Sequence, residues 1–228
     1  MSTTPDRVPE PTRDEGGHAL QLSRGFSSLF WGMPTLAVAH AVALTGLWPT
    51  RWMMGWLLCA YLPVLLGLWR LRIVGDWTPH WRRRTGQALA LALATLYLAP
   101  FLVWWSVWPL QGYFAIHAAG HYVAMVVFLA SLNRLVGEVG RGWGDGAMRR
   151  EAKAGIAMVV GMSTCSVAAL LWMFHRAGVL EAGSATVLAQ WSRLAGEART
   201  LFLLPYAMTA YVMWRAKEGG FRRTGGGT

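Results

Sequence analysis

The amino-acid sequence predicts an all-α polytopic integral membrane protein, a bundle of about six transmembrane helices. Two observations predict this class: long apolar runs, and charged residues that lie between the runs or close to their ends. A helix needs about 20 residues to cross a hydrocarbon core ~30 Å thick. No Asp, Glu, Lys or Arg lies in the interior of a run, as expected because a bare charge there is costly. The runs are Phe26–Leu47, Met53–Val74, Ala88–Leu110, Tyr113–Val136, Ala154–Phe174 and Ala198–Trp214.

The composition excludes several classes of protein. Of the 228 residues, 54% are hydrophobic and only 14% are charged, too few to cover the surface of a soluble domain. The net charge is +10, but the basic residues flank apolar runs, so we interpret them as partners of anionic lipid rather than of nucleic acid. Cys59 and Cys165 lie in different runs without a CxxC pattern, which indicates neither a disulfide framework nor a zinc site.

The basic residues also predict the orientation in the membrane. Summed over alternate connections and tails, 17 of the 21 Lys and Arg lie on one side and 4 on the other. Because positive charge near the ends of spans stays cytoplasmic, both termini are expected on the cytoplasmic side. The membrane is expected to be a cell membrane, inner or plasma. The predicted organisation is a disordered polar tail at 1–25, a six-span domain at 26–215 and a basic, glycine-rich tail at 216–228.

Local patterns predict three further features. Apolar residues at helical spacing in Ala182–Glu197 predict an amphipathic helix on the outer surface, with Trp191 in the interface. In the fourth run, the small residues Ala115, Ala118, Ala119 and Gly120 favour close helix packing, so we expect this helix at the centre of the bundle. One cytoplasmic connection is expected to contact lipid headgroups through Trp77, Trp81, Arg82, Arg83 and Arg84.

Three histidines at membrane depth are the candidate cofactor-binding residues. His40 lies about 10 Å below the outer end of the first span, and His117 and His121 lie about 7 and 13 Å deep in the fourth. Imidazoles from two helices can ligate a b-type haem, and imidazole can also bind copper or a quinone carbonyl. The structural alternative is a hydrogen bond from each ring to a nearby group such as Tyr113 or Tyr122.

We expect His40 and His121 to approach each other across the bundle. Their Nε2 atoms should lie about 4 Å apart if they share an iron, twice a typical metal–imidazole bond of ~2.0 Å. If they share a quinone or water, the distance is larger and both rings face one cavity. The sequence does not determine which cofactor or metal, if any, is bound.

Other absences in the sequence narrow the function. No carboxylate lies inside a run, which disfavours proton- or sodium-coupled transport. No hydrolase or metalloprotease motif is present, so we expect no enzyme.

The expected function is a non-catalytic subunit of a larger membrane complex, with membrane lipids and other membrane subunits, or the chain itself, as partners. The first alternative is a redox anchor that binds a b-type haem or quinone near the outer face. The second is an oligomeric channel lined by Ser163, Thr164 and Ser166.

Overall fold

The structure, a computed structural model, describes residues 13–45, 49–75, 77–176 and 204–224, and every regular element in them is a helix. Five helical segments are long and apolar enough to cross a membrane, so the all-helical, multi-pass architecture agrees with the sequence. The helices are α1 (Arg13–Thr45), α2 (Thr50–Ala60), α3 (Leu62–Ile73), α4 (Trp81–Val107), α5 (Gly112–Gly142), α6 (Gly146–Arg176) and α7 (Leu204–Arg223).

The second span is broken at Tyr61, between α2 and α3. The Tyr61 N–H bonds the Leu58 carbonyl at 3.2 Å, which is a tighter turn than the α-helix. Pro63 follows at the start of α3, where its missing N–H and fixed φ are tolerated. The side chain of Tyr61 is fully buried, so the break places a phenol inside the bundle.

The backbones of α1 and α3 approach each other closely, and this approach shapes one of the sites described below. They cross at Gly25 and Gly67. A Cβ on Gly67 would lie 2.9 Å from the Gly25 carbonyl oxygen and 2.8 Å from Leu29 Cγ. Only glycine fits this crossing without moving the helices apart.

Helix α5 packs against three other helices, α4, α6 and α7. Ala119 and Gly120 are exposed, and a Cβ on Gly120 would meet nothing within 4 Å. The contacts are made mainly by the second half of the helix, where Met125, Phe128 and Leu132 are buried. Of the other small residues named above, Ala118 is buried and Ala115 is half-buried, so the small residues supply only part of the contacts of α5 with its three neighbours.

Helix α1 begins at Arg13, inside the stretch predicted to be a disordered tail. Ala19, Leu22 and Ser23 share one side of this helix and are buried. Gly220 of α7 packs directly against Ser23. The early residues are therefore helical because they present a packable face at helical spacing to another helix.

Helix α7 is an amphipathic helix that packs against α1, α5 and α6. It is joined to α5 by a hydrogen bond of 3.1 Å from Asn133 Nδ2 to Thr209 Oγ1. It ends at Arg223, within the predicted carboxyl-terminal tail. Its buried face consists of Pro205, Thr209, Val212, Met213, Ala216 and Gly220.

Part of the predicted topology lies outside the described residues. The predicted sixth span, Ala198–Trp214, is described only from Leu204 onward, and the interfacial helix at Ala182–Glu197 is not described. A sixth crossing and the cytoplasmic position of both termini therefore stay predictions.

Candidate functional site

Two histidines and two tyrosines meet in the interior of the bundle. His40 comes from α1, His121 from α5, Tyr61 from the break between α2 and α3, and Tyr206 from α7. The exposed fractions of His40 and His121 are 6% and 3%. Polar side chains this deep in an apolar bundle need internal partners, because no water or headgroup is available.

The four side chains and one backbone carbonyl form a continuous set of hydrogen bonds. The Nε2 atoms of His40 and His121 are 2.9 Å apart. The Tyr206 hydroxyl lies 3.1 Å from His40 Nδ1, and His121 Nδ1 lies 3.1 Å from the carbonyl oxygen of Thr95 in α4. The Tyr61 hydroxyl is more distant, 3.4 Å from His40 Nε2. We call His40, Tyr61, Thr95, His121 and Tyr206 the histidine cluster.

One arrangement of the protons satisfies these partners with both imidazoles neutral. A carbonyl can only accept, so His121 donates to Thr95 from Nδ1. A charged imidazole would be costly to bury, so His121 is neutral and its Nε2 accepts from the Nε2–H of His40. His40 Nδ1 is then an acceptor, and the hydroxyl of Tyr206 donates to it. Each imidazole nitrogen then has a partner within the chain, and His40 Nε2 has two, His121 and the more distant Tyr61 hydroxyl.

The third predicted histidine, His117, does not join the cluster. Its Nδ1 lies 2.8 Å from the Tyr113 carbonyl oxygen in its own helix, and its ring stacks on Phe101 with centroids 4.4 Å apart. It is only half-buried. His117 therefore has the structural role stated above as the alternative to cofactor binding, a hydrogen bond to a nearby group of the chain.

The geometry of the cluster does not fit an iron shared by the two rings. An axial pair needs its Nε2 atoms about 4 Å apart, but His40 and His121 are 2.9 Å apart and bonded to each other. Within the described residues, no group of three or more His, Cys, Asp or Glu is arranged to hold a metal ion. A quinone carbonyl would have to replace His121 as the acceptor of the His40 N–H.

Sequence reasoning missed the partners of the histidines. Tyr61, Thr95 and Tyr206 lie far from them in the chain, up to 166 positions apart in the case of His40 and Tyr206. The available signal was Tyr206 next to Pro205, a polar ring within the predicted run Ala198–Trp214. Nothing in the sequence shows toward which neighbour that ring points.

A second polar group, centred on Glu138 of α5, was also missed. Its carboxylate is 2% exposed and lies 2.7 Å from Arg84 Nε and 3.2 Å from Arg141 Nη1. Nearby, Arg215 binds both carboxylate oxygens of Glu151, which raises the pKa of the guanidinium above its usual value. The spacing of Glu138 and Arg141 is the one local signal for this network.

Only some of the residues predicted to contact lipid headgroups lie at the surface. Arg82 and Arg83 have exposed side chains, but Trp81 is fully buried and donates from Nε1 to the Leu71 carbonyl at 2.9 Å. Its indole joins α4 to α3 and so cannot face the lipid. The remaining three residues behave differently: Trp77 packs edge-on against Trp143, Arg84 is paired with Glu138, and Trp191 lies outside the described residues.

The predicted channel-lining residues of α6 do not share one environment. Ser163 is buried and its Oγ has no hydrogen-bond partner within the described residues, whereas Thr164 is exposed and Ser166 is half-buried. The carbonyl of Ser163 accepts from the Tyr122 hydroxyl at 3.2 Å. A channel along this helix stays a prediction.

Comparisons of the chain with protein-family models, with curated proteins and with solved structures find no match.

Proposed function

We propose that this chain is a non-catalytic integral membrane subunit of a larger membrane complex. The observation that carries the proposal is the incomplete cover of α6. Only 22% of its most apolar window is buried, against 39–44% for the other four spans. Among the spans that the structure describes, α6 therefore has the largest face available to a partner.

The exposed face of α6 has the chemistry of a helix–helix contact. Small residues recur on it at every fourth position, namely Ala157, Gly161, Cys165 and Ala169. A Cβ on Gly161 would meet nothing within 4 Å. In lipid, such faces let two backbones approach closely, and association is then driven by van der Waals contact. Large side chains also face outward, both on α6, such as Val160, and on other helices, such as Ile116 of α5.

The histidine cluster is consistent with a structural part in such a subunit. Each of its imidazole nitrogens is satisfied by another group of the chain. A closed polar network joins helices and favours one arrangement of them over others. It offers no free donor or acceptor to a substrate in this arrangement.

The two native cysteines provide a matched test of the α6 face. Cys165 lies on that face and Cys59 lies on α2, and both are exposed and unpaired. They also lie near one layer of the bundle. Tyr61, two residues after Cys59, is joined by a hydrogen bond to His40, which bonds His121. Ser163, two residues before Cys165, is joined by a hydrogen bond to Tyr122, the residue after His121. Single-cysteine proteins, made with Cys59→Ala or Cys165→Ala, are labelled in native membranes with a maleimide photocrosslinker and irradiated.

We expect the Cys165 probe to capture one membrane polypeptide in good yield, and the Cys59 probe to capture none or much less. Gly161→Leu should abolish that product, whereas Gly120→Leu, at another exposed helical glycine with open space, should not. Equal capture by both probes would contradict the proposal. A product at twice the mass of this 25.1 kDa chain alone would indicate self-association instead.

A second candidate is a quinone site at the histidine cluster. The observation that favours it is the pair of imidazoles buried at membrane depth, since intramembrane ionisable groups commonly mark functional sites. Quinone extracted from purified wild-type protein should then be stoichiometric, lost in His40→Leu and retained in His117→Leu. Absence of quinone from wild type purified in mild detergent would exclude this candidate.

A further inference from the structure

A cleft of about 340 Å³ lies between α1, α3 and α7, at the arginine-rich end of the bundle. Its polar side is formed by arginine and serine side chains, and its other side by aromatic rings and a proline. The residues are Arg24, Ser27, Ser28, Arg70, Trp31, Pro63 and Phe221.

The close crossing of α1 and α3 builds the polar side of this cleft. Because Gly25 and Gly67 bring the two backbones together, Ser28 of α1 comes within reach of Arg70 of α3. Arg70 Nη1 donates to Ser28 Oγ at 3.0 Å. The guanidinium is held across the cleft and keeps further N–H groups available.

The cleft carries positive charge that no carboxylate of the described residues neutralises. Arg84 and Arg141 pair with Glu138, and Arg215 pairs with Glu151. Arg24 and Arg70 form no ion pair in the part of the chain that the structure describes, although both flank the cleft. Two guanidinium groups beside serine hydroxyls match the oxygens of a phosphate group, which guanidinium can bind with two N–H groups at once.

The apolar surroundings indicate that this phosphate belongs to a lipid. Trp31 lines the cleft and is 64% exposed, and Trp69, one residue before Arg70, is 57% exposed. Exposed indoles of this kind favour the headgroup level of a membrane. Leu62 and Leu66, which precede Arg70 on α3, are also exposed and extend the apolar outer surface away from the arginine-rich end. A free phosphate ion would use the arginines but not this surface.

We propose that the cleft binds the phosphate group of an anionic membrane phospholipid, with Arg24 and Arg70 as its cationic ligands and Ser27 as a hydroxyl donor. Ser28 donates to the Arg24 carbonyl at 3.2 Å and accepts from Arg70, so its part is to position the guanidinium. The acyl chains lie along Trp31 and the outer face of α3. The site is separate from the histidine cluster and from the α6 face, and it does not depend on the proposed function.

The test is native mass spectrometry of the full-length protein in detergent, titrated with phosphatidylglycerol or with phosphatidylcholine. We compare wild type, Arg24→Gln, the double variant Arg24→Gln/Arg70→Gln, and the control Arg72→Gln/Arg134→Gln. The control removes the same charge from exposed arginines of α3 and α5 that do not line the cleft. A parallel titration adds excess inorganic phosphate to the wild type.

We expect wild type to prefer phosphatidylglycerol. Each arginine lost should weaken its binding about fivefold, so the double variant should lose about 25-fold and the control little. The side chain of Arg24 is exposed, so Arg24→Gln folds even if loss of the Arg70–Ser28 bond impairs the double variant. Equal loss in the control, or unchanged preference in Arg24→Gln, would overturn the site. Inorganic phosphate that abolishes lipid binding, with no preference between the two lipids, would assign the cleft to free phosphate.

Discussion

Replacing His121 with leucine tests the histidine cluster directly. The change fills the space with an apolar side chain but removes the acceptor, His121 Nε2, that lies 2.9 Å from His40 Nε2. The Tyr61 oxygen, at 3.4 Å, is only a weak substitute. An unpaired buried donor costs about 1–3 kcal/mol in soluble proteins, whereas side-chain bonds between membrane helices average about 0.6 and reach about 1.7 kcal/mol. We expect the unfolding free energy to fall by about 1–2 kcal/mol.

The double-mutant cycle makes this expectation specific to the pair. His40→Leu removes both the donor to His121 and the acceptor of the Tyr206 hydroxyl, so it should cost more, about 2–3 kcal/mol. In His40→Leu/His121→Leu, no imidazole is left without its partner. Its cost should therefore be about 1 kcal/mol less than the sum of the two single changes.

The assay is reversible unfolding of the protein in mixed micelles with increasing SDS, followed by circular dichroism. His117→Leu is the matched control, because His117 lies one turn away on the same helix and bonds only the carbonyl of Tyr113. We expect it to change the unfolding free energy by no more than about 0.5 kcal/mol. A cost for His117→Leu equal to that of His121→Leu, or exact additivity in the cycle, would refute the reasoning.

Three other predictions follow from the fold. Arg84→Gln should destabilise the protein by about 2 kcal/mol in the same assay, because it leaves a buried carboxylate with one partner, whereas Arg83→Gln should be near neutral. Gly67→Leu should cost at least about 1–3 kcal/mol through overpacking, whereas Gly161→Leu should leave the monomer's stability nearly unchanged; equal costs would contradict the crossing described. Single cysteines placed in either terminal tail should be labelled by a membrane-impermeant maleimide only after cells are lysed, and labelling of intact cells would overturn the predicted orientation.

The sequence predicted the helical class because lipid imposes a strict rule on it. Every backbone polar group must be satisfied within its own helix, and charge must stay out of the hydrocarbon, so apolar runs and their flanking arginines identify spans locally. The break at Tyr61 has a comparable local signal in Pro63. The helical start of α1 had a weaker local signal. Its residues are mostly polar, and the side that is buried becomes so only when α7 packs against it.

The sequence by itself also predicted a depth for each histidine, because an α-helix rises ~1.5 Å per residue. Depth placed His40 and His121 in one layer, but not the direction of either ring. That direction depends on how each helix is rotated against its neighbours, which packing of distant segments decides. Tertiary structure alone therefore joined His40 to Tyr206 and His121 to Thr95. It left His117 out because four residues along the helix move a ring by ~6 Å, beyond the reach of a hydrogen bond to the cluster.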